Sequence, residues 1–405
     1  MDLKDKLRRF AAEQPKQNRP SRASNLDAIL HGREITNAFG SYYLVERVFP
    51  ADYFHGCLTL GHALTADIHG LALIANDSAL TNINFERTLF FDTETTGLAG
   101  GAGTCAFLIG VGFFQGEQFI VRQYLMRDYH EEQAMLYDLH KFLSQYDAVV
   151  SFNGKCFDWP LLRDRFVLAR FTPLNRTFLH LDLLYPARRL WRSELPDCSL
   201  HSIETHILQV SRGADLPGNE VPQRYFDFVR TKQGDLLVVI LDHNRNDILS
   251  LVILTSVIGL LMQQPARNLN SASTCCALAK VYVQNKTWEK AISYYQRAAE
   301  LAEHDGETID LSQMARIYRR LAQWENAVPI WQYLAENCAD IQAYEELAKY
   351  YEHICKDYQL AKQTAQRGLA LALTKDRTRV SAFEYRLERL ERKLTKAKQL
   401  ELLTS

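Results

Sequence analysis

The sequence predicts two folded parts of different class: an α/β domain built on a mixed β-sheet, and after it an all-α domain of helical repeats. Between residues 88 and 262, apolar runs of strand length alternate with segments of helical periodicity. From residue 278 onward, one pattern of small and aromatic residues recurs at a spacing of 36 residues. Because the two patterns belong to different architectures, we expect separate domains.

The composition is typical of a globular protein in a reducing compartment. Hydrophobic residues make up 47% of the 405 residues, which is enough for packed cores in two or three domains. The formal net charge is −1, so any basic surface for nucleic acid has to be local. The eight cysteines form no CxxC pair, which fits reduced thiols, and the chain opens on a charged segment rather than an apolar leader. We therefore expect a cytoplasmic protein.

Two segments precede the α/β domain. Residues 1–40 are polar and rich in Arg, Asn, Gln and Ser, and predict a flexible tail with room for one short helix. Residues 41–84 alternate short β-like runs with Gly, Pro, Asn and Asp, and predict a small β-rich extension.

The α/β domain is predicted at residues 85–262. Strands are expected at residues 88–92, 106–114, 118–125, 148–152 and 178–183. Helices are expected at residues 131–146, 158–170, 199–209 and 235–262. The most apolar stretch, residues 248–262, is shorter than the roughly 18 residues that span a bilayer. It predicts a buried helix and no membrane partner.

The C-terminal domain, predicted at residues 272–373, is identified by its internal repeat. Residues 278–301 align with residues 314–337 at five positions: Ala279/Ala315, Tyr282/Tyr318, Trp288/Trp324, Ala291/Ala327 and Tyr295/Trp331. A weaker third copy spans residues 347–371. The pattern resembles the tetratricopeptide repeat, which implies a protein partner, and a non-repetitive helical bundle is the alternative. Residues 374–405 predict a capping helix.

The stretch LFFDTETTGLAG, residues 89–100, places two carboxylates one residue apart directly after an apolar run. Strand side chains alternate between faces, so Asp92 and Glu94 should point the same way. Two like charges on one face repel unless a cation lies between them, and a hard divalent cation prefers oxygen ligands. The alternative is a solvated strand end that runs into a Gly-rich turn.

Two further acidic residues lie in the same predicted domain. Asp158 stands at the start of a helix, after an apolar strand and a Gly turn. Asp247 lies inside a strongly apolar helix, where an unpaired carboxylate would be costly. His243 precedes Asp247 by four residues and shares its helix face, although a histidine next to Asn244 could also be an ordinary surface residue.

Three motifs in chain order now resemble the DEDD superfamily of ribonuclease H-like 3′–5′ exonucleases. They are the Asp-x-Glu strand, the Asn-Gly-x-x-Phe-Asp-x-Pro-Leu-Leu helix start and the closing His-x-x-x-Asp helix. Within that superfamily the chain is most similar to the YprB-like group, in which such a domain precedes tetratricopeptide repeats. The resemblance covers residues 85–262 and predicts a ribonuclease H-like mixed sheet with flanking helices.

The resemblance implies a set of metal ligands and a catalytic group. Asp92, Glu94, Asp158 and Asp247 are expected to hold two Mg²⁺ or Mn²⁺ ions for the attack of water on a phosphodiester. His243 is expected to act as general base or to orient the attacking water. The chain departs here from the two best-known subtypes, because a histidine stands at the spacing of the tyrosine subtype.

Residues around the second motif are candidates for substrate contact. Asn153 and Lys155 flank a Gly and could contact the substrate backbone, or Asn153 could cap the turn. Asp182 ends a predicted strand and is left outside the predicted site. Several arginines follow, which could meet phosphates or form a solvated basic face: Arg163, Arg165, Arg170, Arg176, Arg188, Arg189 and Arg192.

The residues and the resemblance together predict a cytoplasmic, metal-dependent 3′–5′ exonuclease that acts on single-stranded or frayed nucleic acid and binds a protein through its repeats. Two alternatives stay open. One is a catalytically silent nuclease-fold scaffold that acts through its repeats, although a scaffold has no need to keep buried charges. The other is an endonuclease that uses the same metal site.

Overall fold

The protein consists of two compact units. The computed structural model describes residues 26–97, 103–171, 178–213, 216–305 and 309–404. The first unit, called here the sheet unit, contains Met1–Pro186 and Asp197–Leu260. The second, called the repeat unit, contains Ala187–Pro196 and Leu261–Ser405.

The strands of the sheet unit form one large sheet and one small hairpin. They are β1 (Gly32–Asn37), β2 (Gly40–Pro50), β3 (Phe54–His55), β4 (Leu58–Thr59), β5 (Thr88–Thr95), β6 (Ala106–Gln115), β7 (Gln118–Leu125), β8 (Ala148–Ser151) and β9 (Leu179–Asp182). The seven-stranded sheet has the order β1-β2-β7-β6-β5-β8-β9, and β3 pairs with β4. Neighbours are antiparallel except for β5–β8 and β8–β9, which are parallel. The predicted mixed sheet is confirmed.

Helices flank this sheet. Those that lie wholly or partly in the sheet unit are α1 (Leu26–Leu30), α2 (Ile68–Ala75), α3 (Glu132–Leu143), α4 (Asp158–Leu168), α5 (Leu184–Trp191), α6 (Leu200–Ile203), α7 (Val221–Thr231) and α8 (Asp235–Gln263). The sequence predicts α3, α4, α6 and α8 but misses α2, α5 and α7. A π-helical turn, Glu204–Leu208, directly continues α6.

The N-terminal segments differ from their prediction where the structure describes them. β1 and β2 lie within residues 32–50 and extend the main sheet through the antiparallel pairing of β2 with β7. β2 buries Tyr42–Val45 in its centre, so this part of the chain belongs to the sheet rather than to a tail or a separate extension. Residues 1–25 of the predicted tail lie outside the described residues.

The long helix α8 packs closely on β6 because two glycines leave room for it. A Cβ atom at Gly110 would lie 2.2 Å from Asn244 Oδ1, and one at Gly112 would lie 2.5 Å from Ile248 Cγ2. In the part of the chain that the structure describes, α8 is the one helix long and apolar enough to span a membrane, by length and composition. However, 67% of its most apolar window is buried inside the protein, as expected for a core helix.

The repeat unit is built from successive helices. They are α9 (Ala272–Gln284), α10 (Trp288–Asp305), α11 (Ser312–Arg320), α12 (Trp324–Asn337), α13 (Ile341–Tyr350), α14 (Tyr358–Lys375) and α15 (Val380–Thr404). The first four are the helices of the two best-matching sequence copies, and α13 and α14 form the third. The aligned alanines Ala279, Ala291, Ala315 and Ala327 are all fully buried, because small side chains are needed where paired helices meet. The predicted helical repeat domain is confirmed.

Candidate metal centre

Strand β5 carries the first two predicted ligands to the end of its buried run. Leu89–Phe91 are buried on both faces of the sheet, and Asp92 and Glu94 follow on one face. Asp92 lies opposite Gly110 in the β5–β6 register, and the register shifts between Glu94 and Thr95. The paired, buried strand therefore holds Asp92 rigidly, and Glu94 stands where regular pairing ends.

Asn244 of α8 fixes the Asp92 carboxylate from the helix side. Its Nδ2 atom donates to Asp92 Oδ2 at 2.8 Å. Its own Oδ1 atom accepts from Gln123 Nε2 on β7 at 2.9 Å, and that nitrogen also donates to the Leu241 carbonyl at 2.8 Å. Since Asn244 is fully buried, this chain of hydrogen bonds determines which way its amide faces.

Helix α8 brings His243 and Asp247 to Glu94. His243 Nε2 lies 3.6 Å from Asp247 Oδ2 and 4.0 Å from Glu94 Oε1. One ligand atom from each of these three residues lies within 4.8 Å of the other two, a spacing that suits a metal ion. The three side chains are largely shielded from solvent.

Asp158 approaches from a third element, at the first turn of α4. It accepts a hydrogen bond from the Thr93 hydroxyl, which ties the start of α4 to β5. The loop before it is held by Asp182, whose carboxylate accepts from the backbone N–H of Asn153 at 2.7 Å and of Lys155 at 3.1 Å. Asp182, left outside the site by sequence reasoning, thus positions the segment that carries Asp158.

Burial and neighbouring carboxylates raise the pKa values of two of the predicted ligands. Burial raises the pKa of Asp92 well above its usual range, and the charges of Asp247, Glu94 and Asp158 raise it further. Burial likewise raises the pKa of Asp158, although the Thr93 hydrogen bond opposes the shift. Like charges this close favour protonation or a bound cation. The oxygen donors fit a hard divalent cation, and one histidine nitrogen is also within reach.

The two predicted substrate contacts have different environments. Asn153 adopts a left-handed backbone conformation with φ of 66°, which asparagine tolerates better than most residues. This residue therefore helps to shape the turn before α4. Lys155 is partly exposed, and its Nζ atom lies 3.8 Å from Asp77 Oδ2. Phe157, between this loop and Asp158, is 60% exposed.

The arginines that follow the second motif have different environments. Arg165 is paired with Glu132, and Arg163 Nε lies 3.7 Å from Asp164 on the exposed side of α4. Arg188, Arg189 and Arg192 belong to the repeat unit. Arg176 lies outside the described residues.

An ion pair beside the site was missed by sequence reasoning. The Arg212 guanidinium donates to both Glu204 and Asp247, and the side chains of Arg212 and Glu204 are 5% and 1% exposed. Arg212 Nη1 also lies 3.4 Å from His243 Nδ1. No periodic pattern in the sequence marks Arg212. Glu204 carries only a weak signal in the sequence, because it is one carboxylate within the predicted helix at residues 199–209. The structure buries this carboxylate.

Two polar residues complete the surroundings of this ion pair. Ser250 of α8 donates to Glu204, and its hydroxyl oxygen lies 2.8 Å from His55 Nε2. Burial, followed by the charges of Arg212 and Arg245, lowers the pKa of His55 to about 4. His55 is therefore neutral at neutral pH and contributes no further positive charge.

Comparison with known proteins agrees with this organisation. Residues 89–258 match the family model of the RNase_H superfamily, and residues 274–308 match that of the tetratricopeptide repeat. The chain is 32% identical over 365 residues to YprB of Bacillus subtilis (strain 168), covering 87% of this chain and 86% of that protein.

One solved structure gives a more distant match. The family B DNA polymerase from the hyperthermophilic archaeon Pyrobaculum calidifontis is 15% identical, with a TM-score of 0.30, over 53% of this chain and 29% of the polymerase chain.

Proposed function

Because the chain belongs to the YprB family and joins a ribonuclease H superfamily domain to a tetratricopeptide repeat, we propose that it is a metal-dependent 3′–5′ exonuclease. The substrate is single-stranded or frayed nucleic acid. The observation that carries this proposal is the approach of Glu94, His243 and Asp247 to one another beside Asp92, at the end of the central strand. A nuclease of this kind needs such a concentration of carboxylates.

The four carboxylates Asp92, Glu94, Asp158 and Asp247 would hold two Mg²⁺ or Mn²⁺ ions. When bound, such ions supply Lewis-acid stabilisation to the reacting phosphate and its leaving oxygen. The chain's own contribution is to fix the ligands on rigid elements before metal arrives. Asn244 orients Asp92, and Thr93 orients Asp158.

The contact between Arg212 and His243 separates the two roles considered for the histidine. A guanidinium can only donate, so Nδ1 has to accept from Arg212 and the proton of a neutral ring lies on Nε2. Nε2 is the atom that faces Glu94 and Asp247. In this tautomer His243 orients the attacking water through an N–H group, and it could act as a base at Nε2 only if Arg212 withdrew.

The loop that leads into α4 suits an unpaired strand. Phe157 exposes an aromatic ring one residue before Asp158, and bases that are free of a duplex can stack on such a ring. Lys155 adds a positive charge in the same loop for a phosphate. These two side chains support a single-stranded or frayed end as the substrate.

We place this activity in the cytoplasm and assign the repeat unit to binding a protein. All eight cysteines are free thiols, as expected in a reducing compartment. The repeats supply helix surfaces beyond those that build the metal centre.

The decisive experiment measures hydrolysis of a 5′-labelled single-stranded oligonucleotide by the full chain with Mn²⁺, and with chelator. We expect progressive shortening from the 3′ end, and no hydrolysis with chelator or in Asp92→Asn. A circular single strand should be resistant, since it has no end. Cleavage of the circle would establish the endonuclease alternative, and full activity in Asp92→Asn would exclude the assigned site.

A further inference from the structure

The repeat unit contains a basic cavity that shares no residue with the carboxylate centre. Its volume is about 610 Å³, and it is lined by residues of the segment Arg188–Ser193, by α9 and α10, and by residues at the start of α11 and just before it. Four of its lining side chains are basic: Arg188, Arg189, Arg192 and Lys280. Its one carboxylate, Asp310, already accepts from the Ser312 backbone N–H at 2.9 Å.

Most of this positive charge is available to a ligand. Arg188, Arg192 and Lys280 are exposed, and none of the three makes an ion pair with a carboxylate among the residues that the structure describes. Arg188 and Arg192 are four residues apart at the end of a helix. This spacing places the two side chains on the same side of that helix. Cations held together in this way repel one another unless an anion lies between them.

A buried hydroxyl in the cavity points to the same kind of ligand. Tyr295 of α10 lines the cavity and is 1% exposed, yet its hydroxyl has no hydrogen-bond partner in the described protein. Such a group is destabilising, and most buried hydroxyls have a partner. The hydroxyl is closed to solvent in the structure, so a ligand oxygen in the cavity accepts its hydrogen bond once the surrounding side chains shift.

We propose that this cavity binds phosphate groups of a single-stranded nucleic acid, with Arg188, Arg192 and Lys280 contacting phosphate oxygens and Tyr295 donating to one of them. The proposal rests on the proposed function, because it takes the ligand to be the strand that the carboxylate centre hydrolyses. It adds a second site for that strand, located in the repeat unit.

A phosphodiester matches the lining better than an acidic peptide does. The free polar groups of the cavity are mainly donors, and a phosphodiester presents only acceptors to them. A peptide also carries backbone N–H groups that need acceptors when buried. Guanidinium groups pair with phosphate in a bidentate manner, which suits a cavity lined by Arg188 and Arg192.

The test measures binding of a fluorescein-labelled single-stranded oligonucleotide to the full chain by anisotropy, in chelator so that no hydrolysis occurs. We expect Arg188→Gln/Arg192→Gln to weaken binding at least tenfold. The slope of log affinity against log salt should become shallower by about 0.7 for each phosphate that the variant no longer neutralises. The matched control, Lys286→Gln/Arg367→Gln, removes two exposed positive charges of the repeat unit that lie outside the cavity and should bind almost as wild type does.

A second variant tests the hydroxyl without altering charge. Tyr295→Phe should weaken strand binding several-fold, while its thermal midpoint stays equal to that of wild type or rises, since an unsatisfied group is removed. A purely structural Tyr295 would leave strand affinity unchanged.

The outcomes separate this proposal from the proposed nuclease activity. Equal binding by the arginine variant and its control, or no strand binding at all, would overturn the cavity proposal, even where wild type hydrolyses DNA or RNA with Mn²⁺. So would an acidic peptide that depends on Arg188 and Arg192 while the oligonucleotide does not. Cavity-dependent binding without any hydrolysis would instead leave this proposal standing and remove the nuclease assignment.

Discussion

Asn244 of α8 donates a hydrogen bond of 2.8 Å to the carboxylate of Asp92 on β5, and it does so across a glycine of the neighbouring strand. Gly110 lies opposite Asp92, and a Cβ atom there would be 2.2 Å from Asn244 Oδ1. A missing side chain on β6 therefore allows the helix to reach Asp92 on β5. His243 and Asp247 lie on the same helix, so this close approach also sets their distance from Glu94.

We predict that Gly110→Ala displaces Asn244 and with it the ligand set. Overpacking of this kind typically costs about 1–3 kcal/mol of unfolding free energy. Urea denaturation should show that decrease, and nuclease activity should fall by more than the smaller fraction of folded protein explains. Gly103→Ala is the control, because a Cβ atom at Gly103 would meet nothing within 4 Å. Wild-type stability in Gly110→Ala would mean that α8 does not depend on this glycine.

Asp92→Asn should abolish hydrolysis yet stabilise the metal-free protein at neutral pH. Because burial and neighbouring charges raise the pKa of Asp92, the fold favours its neutral form. Protonated Asp92 therefore contributes its full stability below the ordinary carboxyl pKa of about 3.9. This stability is lost as the pH rises through the raised pKa of the folded state. The side chain of the Asp92→Asn variant does not ionise, so the variant does not lose this stability as the pH rises.

Urea midpoints of wild type and Asp92→Asn, measured in chelator over a range of pH, test this sign. The variant's advantage should be largest at neutral pH and should shrink as the solution becomes acidic. An advantage that grows toward acid pH would contradict the raised pKa.

Metal binding should release protons over the same range. A carboxyl with a raised pKa is partly protonated at mildly acidic pH, and a cation has to displace that proton. We expect the calorimetric heat of Mn²⁺ binding to differ between buffers of different ionisation enthalpy. Asp164→Asn, which removes an exposed carboxylate of α4, should release as many protons as wild type. Identical heats in all buffers would show that the ligands are already ionised.

The sequence was sufficient for elements whose pattern is local. The apolar runs of β5 and β6 and the repeated alanines of α9–α12 each carry their own signal, so their fold class was predictable. The joining of β2 to β7 depends on pairing between segments far apart in the chain. Pro50 reads as an interruption within a separate extension, whereas in the structure it is the last residue of β2.

The same distinction applies to the candidate site. Asp92, Glu94, Asp158, His243 and Asp247 stand in short motifs that are visible in the sequence. Arg212 reaches Asp247 across 35 positions from a segment with no periodicity, so only the folded chain shows it. Asp182 was visible as a strand-end carboxylate, but its hydrogen bonds to the Asn153–Lys155 loop were not.

Arg212 and Glu204 should behave as a buried ion pair in which each side chain neutralises the charge of the other. Arg212→Gln leaves Glu204, which is 1% exposed, without its cation, and breaking a buried pair costs about 3–5 kcal/mol. The double variant Glu204→Gln/Arg212→Gln should recover part of that stability, as urea denaturation of the four proteins would measure. The exposed pair Arg230–Asp227 is the control, since Arg230→Gln should cost less than about 1 kcal/mol. Purely additive effects of the Arg212 and Glu204 substitutions would show that the two do not interact.

The last prediction distinguishes the two roles of His243. His243→Ala should keep Mn²⁺ affinity, because four carboxylates remain, but lose rate by about 10²- to 10⁴-fold, the usual range for a proton-handling group. His243→Gln is the informative variant, because its amide can donate a hydrogen bond but cannot act as a base. Since Arg212 Nη1 lies 3.4 Å from Nδ1 and leaves the proton on Nε2, we expect the glutamine to recover a large part of the rate.

Single-turnover hydrolysis of one oligonucleotide by wild type, His243→Ala and His243→Gln gives this comparison, with Mn²⁺ affinity measured for each protein. Recovery by glutamine means that His243 orients the attacking water. A glutamine variant as slow as the alanine variant means that the ring removes a proton, and Arg212 then has to leave Nδ1 during the reaction. Full rate in both variants would show that His243 is only a neighbour of Asp247.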